Sequence, residues 1–145
     1  MKNTECKHLI RIFLLGALLS LAWGGLTYLL HLDRIFPDRV QERLFSVSLP
    51  AQFALYGFLS PVLEECLFRG FLFFLLRRFL SERVSAILTA AIFALWHWNM
   101  IQILYAFPMG LLFQYLLRRD GSLKSPICCH IGANLAAISA QALLF

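Results

Sequence analysis

Long apolar runs separated by short charged turns organise this chain. The runs cover about residues 9–31, 51–76, 84–98, 101–117 and 123–145. A run of about 20 mostly apolar residues covers a bilayer core as a helix, so each reads as a membrane span. The turns between them carry the charge: Arg77, Arg78, Glu82 and Arg83 close the second run, and Arg118, Arg119, Asp120 and Gly121 close the fourth. Asn99 marks a turn between the third and fourth, and Pro108 is expected to kink the fourth. A polar segment with Asp33, Arg34, Pro37, Asp38, Arg39, Glu42 and Arg43 follows the first run, with a short interfacial helix expected around 40–45. The pattern predicts an all-α, polytopic membrane helix bundle of about five transmembrane helices. An N-terminal helix and polar loop would occupy 1–50, and a four-helix core 51–145.

Composition agrees. Of 145 residues, 60% are hydrophobic, and the mean hydropathy is +0.73. A soluble domain of this length rarely exceeds half apolar. The net charge of +5 does not point to nucleic acid, because the basic residues sit between apolar runs, where they set topology and meet lipid head groups. Lys2, Lys7 and Arg11 before an apolar run have the charge order of a signal peptide. The run from 9 to 30 is longer than an h-region of about 7–15 residues, and no small-x-small site closes it, so it reads as a retained first span. The N-terminus and the 77–83 and 118–124 turns hold nine of the basic residues, against Arg34, Arg39 and Arg43 on the opposite side. The positive-inside rule then places the N-terminus in the cytoplasm. Cys6, Cys66, Cys128 and Cys129 form no CxxC and read as small apolar residues.

The charges inside the runs are few. Of eight acids only Glu64 and Glu65 lie deep in a run, and of thirteen Lys and Arg only Arg69 does. His97 and His130 are the interior histidines. An ionised side chain at the bilayer centre costs roughly 2.5–3.5 kcal/mol on insertion scales, so each of these needs a partner or a task. Glu65 and Arg69 are four apart and share a helix face. Glu64 is then the acid without a local counter-ion. At 1.5 Å per residue, Glu64 lies about 20 Å from Arg77 and His97 about 20 Å from Arg83, so the two reach one level. Asn134 follows His130 by one turn on the same face, and Gly132 and Ala133 permit close helix approach. A carboxylate beside a histidine can hold and deprotonate water, while a second histidine and an amide can stabilise an oxyanion. Together they make an amide hydrolase, with Glu65 and Arg69 in support.

Other chemistries fit less well. Every Asp is in a loop, which excludes an aspartyl intramembrane site. Ser60 and Ser139 lack the Gly-rich turn of a rhomboid-like serine, and HExxH is absent. A zinc site on Glu64, His97 and His130 stays open, since three ligands and a water define a catalytic zinc. A non-enzymatic scaffold or immunity protein and a small proton-coupled transporter also stay open.

Glu64-Glu65…Arg69, Phe93…His97 and His130…Asn134 form the ordered pattern EExxxR, FxxxH, HxxxN. On these residues the chain resembles the CPBP family of type II CAAX prenyl proteases and bacteriocin-processing or immunity proteins, also called the Abi family. Gly121-Ser122-Leu123 with Pro126-Ile127 also looks like that family. The resemblance covers about 51–145 and implies an intramembrane endopeptidase of glutamic type. It implies that Glu64 with His97 activates water, that His130 with Asn134 stabilises the oxyanion, and that no cofactor is needed. It also implies a bilayer setting, in a bacterial inner membrane. With one span before the core, the expected substrate is a peptide or the C-terminal tail of a membrane-anchored protein.

Overall fold

The computed structural model describes residues 2–32 and 46–144. The interfacial helix expected around 40–45 lies outside the described residues. Those described are helical with short turns and no strand, an all-α architecture as the apolar runs predict. We number the helices α1 (Lys2–Leu29), α2 (residues 49–76), α3 (Glu82–Leu95), α4 (Met100–Asp120) and α5 (Lys124–Leu144). Among the described residues, three segments are long and apolar enough to cross a membrane: Thr4–Leu29, Met100–Asp120 and Lys124–Leu143.

α2 is not uniform. α-Helical Leu49–Gln52, Ser60–Glu65 and Phe73–Leu76 alternate with π-helical Phe53–Leu59 and Cys66–Leu72. Short π stretches interrupt the i→i+4 ladder and are frequent at functional sites. α3 has 14 residues, or about 21 Å, which falls short of a bilayer core of roughly 30 Å. Its sequence explains both ends. Ser81 caps the start, its Oγ accepting from the Val84 N–H at 3.4 Å. At the other end Trp98 takes φ 53°, and Asn99 caps α4 by accepting from the Gln102 N–H at 3.0 Å. The expected third run to residue 98 therefore stops as a helix at Leu95, and His97 lies in the turn beyond it.

The described chain forms two compact units, one of residues 1–62 with 127–145 and one of residues 63–126. In the first, α1 and α5 cross backbone to backbone. A Cβ on Gly16 would overlap the Cys129 carbonyl, and one on Gly132 would overlap the Phe13 carbonyl. Small residues at such crossings are how membrane helices gain contact without a hydrophobic drive between them. Ile12, Cys129 and Ala133 are buried beside the crossing. In the second unit, α3 and α4 run antiparallel, with Gly110 against Ala90; a Cβ on Gly110 would lie 3.1 Å from the Ala90 Cα. Phe68, Phe73, Phe93, Phe113 and Leu116 form its core.

Candidate active site

The site candidates divide between the units: Glu64, Glu65, Arg69 and His97 in residues 63–126, and His130 and Asn134 in the other.

Arg69 is the centre of the first set. It is completely buried, as is Glu65. Nη1 donates to Glu65 Oε1 at 3.0 Å, the pairing their four-residue spacing predicts. Nη2 donates to the Gly110 carbonyl at 3.0 Å. The guanidinium carbon lies 4.3 Å from the Phe93 ring centre and 5.1 Å from that of Phe113. A desolvated cation over an aromatic face gains about 2 kcal/mol, and these contacts help offset the cost of burying the charge. Gly110 supplies the opening: a Cβ there would stand 3.1 Å from Arg69 Nη2. Neither Gly110 nor Phe113 belongs to the sequence pattern. The available signal was a glycine in a helix interior two residues after Pro108, where propensity disfavours both.

Phe93 carries the geometry onward to His97. Its ring meets the imidazole edge-on at 5.0 Å. Its carbonyl lies 2.9 Å from His97 Nδ1. A carbonyl only accepts, so Nδ1 bears the hydrogen and, in the neutral ring, Nε2 bears the lone pair. The four-residue interval in FxxxH thus has two physical jobs. One residue packs Arg69 with its ring and sets the tautomer of His97 with its backbone. Glu64, one position before Glu65, is rotated about 100° from the Glu65–Arg69 face. It is half-buried, with Oε2 shielded from solvent.

In the other unit, His130 is buried at 5% exposure. Asn134, one turn later, is half-buried, and its Nδ2 donates to the Tyr56 carbonyl at 2.8 Å. That carbonyl is open for a reason written in the sequence. In the π-helical stretch the Ser60 N–H turns to Leu55 O, and the next donor would come from Pro61, which has no N–H. Tyr56 O is therefore released by its own helix and taken by Asn134.

A family model described as type II CAAX prenyl endopeptidase Rce1-like matches residues 46–136, well over half of the chain. The chain belongs to this family. The match spans all three motifs of the Rce1-like chain, from Glu64 to Asn134. Membership, with the apolar helices, makes it a membrane protein of a peptidase family. Comparison with curated proteins and with solved structures gives no match.

Proposed function

We propose that this protein is an intramembrane endopeptidase of glutamic type, seated in a bacterial inner membrane with its N-terminus in the cytoplasm. Glu64 and His97 hold a water and deprotonate it for attack on a peptide carbonyl. Glu64 then passes the proton to the leaving amine. His130 and the N–H of Asn134 that is not on Tyr56 stabilise the oxyanion. The substrate is a peptide or the C-terminal tail of a membrane-anchored protein. The observation that carries this reading is the Nδ1 contact of His97 with Phe93 O. It leaves Nε2 as the basic nitrogen that water activation needs.

The same tautomer also suits a zinc ligand, because metal-bound histidines usually donate their other N–H to a carbonyl or carboxylate. Glu64, His97 and His130 offer the donor types that ion takes, but among the described residues no three His, Cys, Asp or Glu side chains are gathered as a metal site. Purified active protein should keep its activity in a strong chelator and contain less than stoichiometric zinc; loss of activity restored only by zinc would replace the glutamic mechanism. The function itself is tested by comparing membrane proteomes of cells with wild-type protein, Glu64→Gln and His97→Ala. Both variants should accumulate uncleaved substrate at normal expression. Cleavage that survives both changes would end the proposal.

A further inference from the structure

The catalytic reading leaves unused the charged end of the 63–126 unit. There Glu82, the first residue of α3, bridges two arginines. Its Oε2 accepts from Arg77 Nη2 at 3.2 Å and its Oε1 from Arg118 Nε at 2.6 Å. The bridge ties the end of α2 and the last turn of α4 to the start of α3. The three side chains border a cleft of about 260 Å³ whose other walls are Phe73, Phe74, Leu117 and Gly121.

Each guanidinium has five N–H donors in one plane, and the bridge to Glu82 engages one nitrogen of each. Both arginines are near half exposed, at 43% and 58%, so solvent or a ligand can reach them at the cleft. Arg119 differs, since its Nε and Nη2 both donate to Asp120. Arg78, Arg83 and Lys124 add positive charge at the same end. Below the rim the walls are apolar, and Arg77 stacks at 5.7 Å over Phe73. Phe74 in the wall is exposed, as are Phe79 and Leu80 just after Arg77 in the sequence. The cleft opens at the end of α4, a helix long and apolar enough to cross the membrane. The end of a spanning helix meets the bilayer interface, and the charged turns 77–83 and 118–124 suit that setting.

We propose that this cleft is a binding site for an anionic phospholipid. The lipid phosphate accepts hydrogen bonds from Arg77 and Arg118, and the start of an acyl chain lies over Phe73, Phe74 and Leu117. Glu82 holds the two guanidinium planes in place while leaving the cleft net positive. The apolar walls favour a lipid over an acidic peptide, which would match the arginines alone. Basic pockets between helices are recurrent sites for anionic head groups, and arginine's planar fork suits phosphate.

Native mass spectrometry of the full chain in detergent, titrated with phosphatidylglycerol or phosphatidylcholine of the same chains, tests this. The wild type should retain phosphatidylglycerol preferentially. Arg77→Gln with Arg118→Gln should weaken that binding by about tenfold, or roughly 1.4 kcal/mol. Arg78→Gln with Arg83→Gln removes equal charge outside the cleft and should change it by less than about twofold. If the glutamine pair at 77 and 118 does not fold, Phe74→Glu takes its place and should remove the preference by setting a carboxylate in the wall. Equal losses in the two arginine pairs would mean diffuse attraction and overturn the site. Full displacement of the lipid by inorganic phosphate, or by an acidic peptide at equal concentration, would also overturn it.

Discussion

Arg69 is a buried cation held from two helices, by Glu65 Oε1 and by the Gly110 carbonyl. Its pairing with Glu65 is legible from the four-residue interval, because a helix puts those positions side by side. Its bond to Gly110 O and its place between Phe93 and Phe113 are not, because they depend on which helix faces which. The same limit applies to Asn134. Its distance from His130 points to a shared face, but its bond to Tyr56 needs the packing of α5 on α2. A buried ion pair is weak evidence of stability, whereas breaking one from a single side is costly. Arg69→Met should therefore lose about 3–5 kcal/mol, because the buried Glu65 carboxylate loses the cation it pairs with. Glu65→Leu with Arg69→Met should regain most of that loss. Gly110→Ala should cost about 1–3 kcal/mol, because the added methyl presses on Ala90 and on Arg69. Unfolding in mixed detergent measures all three. A double variant no more stable than Arg69→Met alone would show that packing, not loss of the ion pair, sets the cost.

The helices themselves were legible as apolar runs, and their irregularities only in part. The end of α3 could be anticipated, since Asn99 is a strong cap residue. The left-handed Trp98 that places His97 in a turn could not, because a bulky residue rarely adopts that conformation. The π stretches of α2 leave little mark in the sequence either. In the first, Pro61 was the visible clue, since it lacks the donor that would close the ladder on the preceding turns. The crossing of α1 and α5 yields a sharper prediction, because it sets glycines of opposite kinds on one helix. At Gly16 a Cβ meets backbone of α5, while at Gly24 and Gly25 it meets nothing within 4 Å. Gly16→Ala and Gly132→Ala should each cost at least about 2 kcal/mol, since backbone cannot step aside as a flexible side chain can. Gly24→Ala and Gly25→Ala should be neutral or stabilise by up to about 1 kcal/mol, through lower unfolded-state entropy and better helix propensity. The four alanine variants, compared by thermal unfolding in one detergent, separate the crossing from the general cost of altering α1. Equal effects at all four positions would refute the backbone contact.

Across the whole molecule the distribution of basic residues is the organising feature. Counting charges by turn places 77–83 and 118–124 on one side, and the structure brings them together through Glu82, which bonds Arg77 from one turn and Arg118 from the end of α4. Two antiparallel helices joined by the short 96–99 turn require as much, so local charge and hairpin geometry agree. The side of the membrane on which they lie is set by a different force, the bias of translocation against Lys and Arg. By the five-span count of the sequence, nine basic residues stand against three, and we expect the N-terminus and both turns in the cytoplasm. Cys6 is an exposed native thiol near the N-terminus, and Ser122 sits in the second turn. With Cys66, Cys128 and Cys129 replaced by alanine, Cys6 and an introduced Ser122→Cys should resist a membrane-impermeant maleimide in intact cells and react fully once the membrane is opened. Lys2, Lys7 and Arg11 changed together to glutamine remove three of the nine and should raise labelling of Cys6 in intact cells. Ser122→Cys should stay protected, because the 77–83 and 118–124 turns keep their own charges. Labelling of both sites in intact wild-type cells would invert the topology.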